Sequence, residues 1–290
     1  MRRLHDVWKR YVPSKFIHIL DIPMGTLSLG ASYLREEFNK LKIALEKHAS
    51  ITISDEDIKN AIKVFNESRL IYNQLNSLRT EHPPLISGTE LMNLTSNFFT
   101  NDPKVWNDKT QSAPKELELL PGILAKMKTQ SQNGAINTNP RILLSGSPLH
   151  EIEFISFIEE IGLNVVYEDL CTGSKFFDLV IKDSQDVLAS LSEAYLNRTP
   201  CARMMQIKER VNQIYRTAEK FRVDGVIHHS LKFCDTHLYD VPTLKTMLTE
   251  KGLNVLFIES DGGLGNINQI RTRIEAFSEI IKSKKKGERK

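Results

Sequence analysis

The spacing of apolar residues changes character near residue 140. Upstream, they recur at helical intervals. Leu34, Phe38, Leu41 and Leu45 fall on one side of a helix predicted over 28–50. Ile58, Ile62, Phe65, Leu75 and Leu78 outline a second long helix. Ser54, with Asp57 three residues on, gives it a capping-box-like start, and Pro83 and Pro84 end it. A further helix is predicted over 87–99, a surface connection over 102–116, and a short strand in "KFIHILDIP" (15–23), closed by Pro23. Downstream, the apolar residues gather into short continuous runs: "RILLSG" (141–146), "NVVYED" (164–169), "DGVIHHS" (224–230) and "NVLFIESD" (254–261). Each run is followed by a stretch of helical spacing. Strands that are apolar on both faces and alternate with helices predict a parallel α/β sheet of four strands or slightly more, with flanking helices. On this pattern the chain divides into a mainly helical section (1–139), a parallel α/β domain (140–282) and a basic tail (283–290).

Composition narrows the class. At 40% hydrophobic and 26% charged residues, the chain reads as a soluble globular protein. It contains no apolar run of membrane-spanning length, and no apolar core follows the basic N-terminus, so a cytoplasmic protein with no membrane partner is expected. The net charge of +3 misleads. Residues 282–290 carry six Lys/Arg and one Glu, or +5, which leaves −2 for the rest. A solvated terminus, and no nucleic-acid partner, is the expectation.

Candidate chemistry follows from topology. In open parallel sheets, ligands bind beyond the carboxyl ends of the strands. Those ends carry "SGSPLH", "EDLCTGSKFFD", "LKFCDTH" and "ESDGGLGN". The three cysteines, Cys171, Cys201 and Cys234, are too few for a disulfide scaffold and form no CxxC pair. Buried cysteines often only pack. Cys234, however, is flanked by Lys232, Asp235 and His237, and a nearby cation favours a thiolate, which is both nucleophile and metal ligand. Cys201 precedes a predicted helix, a second setting that favours a thiolate. His228 and His229 are adjacent on a strand and must face opposite sides of the sheet. His237 stands three residues after Cys234, but no fourth zinc ligand accompanies them. "DGGLGN" (261–266) is either a turn or a phosphate cradle, with Arg271 and Arg273 following as candidate contacts for an anionic substrate such as a coenzyme A phosphate. "LSGSPLH" lacks the GxSxG pattern, so Ser145 and Ser147 are not read as nucleophiles. No catalytic residue is assigned.

Several segments taken together, in order, carry a resemblance: "RILLSGSPL", "GLNVVYEDLCTGSKFFD", "RTPCARM", "VDGVIHHSLKFCDTHLYDVPTLK", "GLNVLFIESD" and "QIRTRIEAF". The chain resembles the 2-hydroxyacyl-CoA dehydratase D-component family, which also contains the smaller subunits of benzoyl-CoA reductase. The resemblance implies a subunit of an oxygen-sensitive, heterodimeric or larger enzyme acting on an acyl-CoA thioester. It implies a [4Fe-4S] cluster held by three cysteines with one iron open, and a separate ATP-dependent iron–sulfur activator protein that supplies a low-potential electron. The electron would make a ketyl radical of the thioester carbonyl and expel the 2-hydroxyl group as water. In the reductases the same injection reduces an aromatic ring. Cys234, in "KFCD", matches the family's C-terminal ligand. The other two ligands belong to an N-terminal lobe that precedes a segment like "DVWKRYVPSKFIHILDIP", and that segment stands here at the start of the chain. Two readings follow. Either Cys234 is one ligand of a cluster completed by a homologous partner subunit, or Cys171, Cys201 and Cys234 form a site of their own. A non-catalytic assembly subunit without a complete cluster is the alternative to both.

Overall fold

The computed structural model describes residues 2–24, 27–116, 139–149, 152–204, 206–261 and 267–287. In chain order its elements are α1 (Arg2–Tyr11), α2 (Leu27–Ala49), α3 (Asp55–Ser77), α4 (Gly88–Thr100), α5 (Pro103–Glu116), β1 (Arg141–Gly146), α6 (Ile152–Glu160), β2 (Asn164–Leu170), α7 (Ser174–Phe177), α8 (Val187–Asn197), α9 (Ile207–Lys220), β3 (Gly225–Leu231), α10 (Asp235–Glu250), β4 (Asn254–Ser260) and α11 (Ile267–Gly287). By compactness they form two units. One comprises residues 1–63 and 180–198, the other 64–179 and 199–290.

In the smaller unit, α2 packs on α8. The contact is close at Gly30, where an added Cβ would lie 3.4 Å from Leu196. Phe38 meets Tyr195 edge-on, and Arg35 pairs at 2.9 Å with Asp186, which also caps α8 through the Ala189 amide. Residues 15–23 are not a strand. They lack a neighbouring strand among the described residues, and an isolated extended segment has no ladder to hold it. Side chains hold it instead: Asp21 accepts from Arg2 and from Tyr33, and its own amide donates to Glu37. Ser54 and Asp57 exchange the reciprocal capping hydrogen bonds expected of them at the start of α3.

The larger unit holds a four-stranded, all-parallel sheet in the order β2-β1-β3-β4. β1, β2 and β3 are buried almost throughout, which explains their continuous apolar runs, while the edge strand β4 is mostly half-buried. One face packs under α6 and α11 through Phe154, Ile155, Ile158, Ile270, Ile274 and Phe277. The other packs under α9 and α10 through Val211, Ile214, Leu244 and Leu248. The result is three layers, with α4 also against β2. Gly88 makes that approach possible, since a Cβ there would lie 2.8 Å from the Val165 side chain. Glu159 of α6 completes the N-terminus of α4, accepting from the amides of Gly88 and Thr89. Residues 103–116 form helix α5 rather than a surface connection. Asp102 accepts from the Lys104 and Val105 amides, and Pro103 suits the first helical position. Trp106 is buried and donates to the Leu94 carbonyl, an anchor supplied by tertiary packing rather than by a periodic stripe. The expected tail is helical as far as Gly287, with Lys285 paired to Asp224. No helix among the described residues is long and apolar enough to cross a membrane.

Candidate functional site

The strand order places the topological switch between β1 and β3: β2 lies on one side of β1, and the chain then crosses back to β3 on the other. The carboxyl ends of β1 and β3 are locked together. Gly146 has φ +131° and runs so close to β3 that an added Cβ would lie 1.8 Å from the His229 carbonyl oxygen. The Ser147 amide donates to that same carbonyl at 3.0 Å, and the Ser147 hydroxyl accepts from the Leu231 amide at 3.1 Å. Ser145 and Ser147 are thus structural, fully buried groups at the floor of the crevice.

Beyond β3 the chain turns through Lys232 and Phe233. Phe233 has φ 65° and is 90% exposed. Cys234 then stands at the N-cap of α10, its amide donating to Leu231 and its carbonyl accepting from His237 and Leu238. Its half-buried free thiol makes no capping hydrogen bond. Exposure of the large Phe233 ring beside it marks this loop as surface.

Below the crevice, on the α9/α10 side of the sheet, lies a buried polar cluster. Asp169 accepts from Ser145 at 2.9 Å and pairs with Lys175 at 3.4 Å. Arg210 of α9 is paired with Asp240 of α10. His228 of β3 and His237 of α10 have ring centroids 5.4 Å apart. Neither ring has a hydrogen-bond partner on either nitrogen among the described residues, and two guanidinium nitrogens of Arg210 also lack one. Burial first, then the adjacent His237, Arg210 and Lys175, hold His228 well below its ordinary range. Burial, Arg210 and Lys175 push His237 down to about 3. His229 faces the opposite side, as strand alternation requires. It packs against Phe154 and shares a 2.8 Å hydrogen bond with Ser260, and burial pushes it down to about 4.

At the edge of this cluster lie two free thiols, half-buried Cys171 and exposed Cys201. Cys171 directly follows β2 and also lies 3.8 Å from the Gly146 carbonyl. The neighbouring Cys171, and next the Arg203 amide, Lys175 and Arg210, pull the Cys201 thiol down to about 5 against the opposing effect of burial. The neighbouring Cys201, with burial, raises Cys171. Sequence spacing gives no sign of the Lys175–Asp169 or Arg210–Asp240 pairs. The only trace is that every partner sits near the carboxyl end of a strand or the N-terminus of a helix.

The remaining sequence candidates are engaged elsewhere. Arg271 lies over the Phe157 ring at 4.5 Å, and Arg273 donates to the Phe257 carbonyl at 2.6 Å. Of "DGGLGN", only Asp261 is within the described residues, and it faces Lys232 at 3.9 Å. Among the described residues, no three His, Cys, Asp or Glu side chains converge as a metal-holding group. Cys171, Cys201 and Cys234 are not gathered as such a group among the described residues. The donor set of the described residues does not by itself fit a [4Fe-4S] cluster, which takes cysteine thiolates on its irons.

Comparison with known proteins gives a consistent picture. A family model described as 2-hydroxyglutaryl-CoA dehydratase, D-component, matches residues 1–281. The chain is 25% identical over 259 residues to the (R)-phenyllactyl-CoA dehydratase beta subunit of Clostridium sporogenes, covering 88% of this chain and 65% of the relative. It is 24% identical to a benzoyl-CoA reductase subunit of Thauera aromatica, covering 97% of this chain and 72% of the relative. To the beta subunit of (R)-2-hydroxyglutaryl-CoA dehydratase from Acidaminococcus fermentans it is 20% identical, covering 87% and 65%. The chain thus spans about two-thirds of the length of the curated relatives it matches.

Proposed function

The chain belongs to the 2-hydroxyglutaryl-CoA dehydratase D-component family, and from that premise we propose that it is a subunit of a cytoplasmic 2-hydroxyacyl-CoA dehydratase. The reaction is loss of water from a 2-hydroxyacyl-CoA thioester, started by a low-potential electron from a separate ATP-dependent iron–sulfur activator. In this reading Cys234 contributes one thiolate to a [4Fe-4S] cluster whose other ligands come from outside the described residues, with a homologous partner subunit as their source. The observation that carries it is the position of Cys234. It is a free thiol at the carboxyl end of β3, beside the topological switch, inside a family match that runs from residue 1 to 281. Loops at a switch point are where open parallel sheets take their ligands.

Cys171 and Cys201 are left out of that ligand set in this reading, because only Cys234 stands in the "KFCD" segment that carries the family resemblance. Arg271 and Arg273, at the start of α11, remain candidates for the anionic part of coenzyme A. Arg271 lies over Phe157 and faces Glu275 at 4.0 Å, so a phosphate would have to compete with that carboxylate. A second reading, a member of a benzoyl-CoA reductase type complex, is favoured by the similarity to the reductase relative over 97% of the chain.

Anaerobic reconstitution with iron and sulfide tests the proposal, on the full chain alone and with a co-expressed homologous partner. The expected result is iron–sulfur charge-transfer absorption with the partner, lost in Cys234→Ser, together with acyl-CoA binding. Absence of that absorption in both preparations, with no acyl-CoA binding, overturns it and leaves the non-catalytic assembly role. Turnover of a 2-hydroxyacyl-CoA, against reduction of an aromatic acyl-CoA, separates the two enzymatic readings.

A further inference from the structure

On the α9/α10 side of the sheet the core changes from apolar to polar within two residues. Tyr167, Leu143, Val226 and Val255 stand side by side across β2, β1, β3 and β4 and pack into the apolar core. Two residues nearer the carboxyl ends, the same face presents Asp169, Ser145, His228 and Phe257 in register. Over this second row lie His237 and Asp240, one turn apart on α10, and Arg210 of α9, which pairs with Asp240. The His237 ring is 5.4 Å from that of His228, so the two rings and the guanidinium gather about a single turn of α10. Part of the row is satisfied internally: Asp169 accepts from Ser145 and pairs with Lys175. The rest is not. Arg210, His228 and His237 are 1%, 1% and 2% exposed, and six of their nitrogens have no hydrogen-bond partner among the described residues. Unpaired polar groups in an interior are costly, and three such side chains in one place call for a common partner.

We propose that Arg210, His228 and His237 form a buried binding site for a small carboxylate, gripped by the Nε and Nη2 edge of Arg210 and by one ring N–H from each histidine. Asp240 occupies Nη1 of Arg210 and leaves Nε and Nη2 open. Those two donors form the parallel fork with which a guanidinium takes both oxygens of one carboxylate. A neutral imidazole adds one donor and one acceptor, so the open donors of the cluster outnumber its open acceptors. A carboxylate, which only accepts, matches that excess. The fixed charges around it balance, Arg210 and Lys175 against Asp169 and Asp240. A singly charged ligand is therefore less costly to bury there than a doubly charged phosphate. The site is independent of the dehydratase reading, since none of its three residues belongs to the proposed cluster ligands. Its carboxylate comes either from a free acid or from the far end of an acyl group carried as a thioester.

The experiment titrates the full chain with sodium acetate, using sodium chloride to hold ionic strength constant. Histidine-selective ¹⁵N labelling reports the ring nitrogens, assigned through His228→Gln and His237→Gln. The expected result is a saturable shift of the His228 and His237 signals, with His229, on the opposite face of the sheet, unmoved. Urea unfolding of the wild-type chain gives a second readout. Once acetate exceeds its Kd, each tenfold rise should multiply the folding equilibrium by about ten relative to chloride. Arg210→Lys keeps a cation for Asp240 but has no fork, so acetate affinity should fall about tenfold or more. Succinyl-CoA against butyryl-CoA, each competed with acetate, then tells an acyl carboxylate from a free acid as the source. The proposal is overturned if the rings and the folding equilibrium respond to acetate no more than to chloride, which leaves ordered water only. It is also overturned if phosphate saturates the site and acetate does not, or if Arg210→Lys binds acetate as tightly as the wild type. The wild-type titrations decide alone, so failure of a variant to fold does not shield the proposal.

Discussion

Mild acid should destabilise this protein well above the range in which carboxylates titrate. His229 and His237 are buried, at 0% and 2% exposure, and are held neutral in the fold down to about pH 4 and about pH 3. In the unfolded chain a histidine titrates near 6.5. The folded values are depressed, so below pH 6.5 the unfolded state binds protons that the folded state refuses. Stability is therefore full above pH 6.5 and falls as pH drops from there towards the folded values. Each such histidine contributes a slope of about 1.4 kcal/mol per pH unit in that window. At pH 5 the two together cost about 4 kcal/mol, against a typical total of roughly 5–15 kcal/mol. His228 is shifted in the same direction and adds to the loss. Urea unfolding of the full chain at pH 7.5 and pH 5, with unchanged m, measures the difference. His237→Leu removes one proton-refusing group and should shallow the slope by about one proton. A stability at pH 5 within about 1 kcal/mol of that at pH 7.5 would refute the assignment of these rings as buried and neutral.

Two substitutions test the frame around the site. Arg79 is fully buried and pairs with buried Glu168 at 2.5 Å, while Glu168 also accepts from the Tyr72 hydroxyl. Arg79→Met leaves that carboxylate without its cation and should cost about 3–5 kcal/mol. Adding Glu168→Gln should recover much of it, and a single-variant loss below about 1 kcal/mol in urea titration would contradict the pair. Gly146→Ala places a methyl against the His229 carbonyl at a backbone angle unsuited to alanine, so several kcal/mol or outright failure to fold is expected. Gly252→Ala is the control: its φ is +87° but nothing lies within 4 Å, so its cost should stay near the conformational term of about 1 kcal/mol. Equal melting points for the two variants would mean that the close approach of β1 and β3 is unimportant.

Much of the site's framework is legible in the chain. The four apolar runs mark the strands because a sheet covered by helices on both sides needs apolar side chains on both faces of each strand. The opposite orientation of His228 and His229 follows from the two-residue repeat of a strand. The capping residue Ser54 announces its helix because a cap bonds within the next turn. Cys234 is placed at a strand end, and so at the crevice, by the same local rules. All of these depend on interactions spanning only a few residues.

What spacing did not reveal depends on where distant segments meet. Residues 15–23 have strand composition but no neighbouring strand among the described residues, and residues 103–116 lack an apolar stripe but have a pocket for Trp106. The joining of 180–198 to residues 1–63 in one compact unit is a property of the folded chain alone. So are the Arg79–Glu168 and Arg210–Asp240 pairs, whose charges are buried only because the sheet and helices close over them. The cysteines show the division most clearly. Sequence determined that three thiols fall near strand ends or a helix start and that one sits in a family motif. Tertiary structure decided that Cys171 lies against the Gly146 carbonyl, half-buried, while Cys201 is exposed, because proximity between remote residues is set by strand order and packing, not by spacing along the chain.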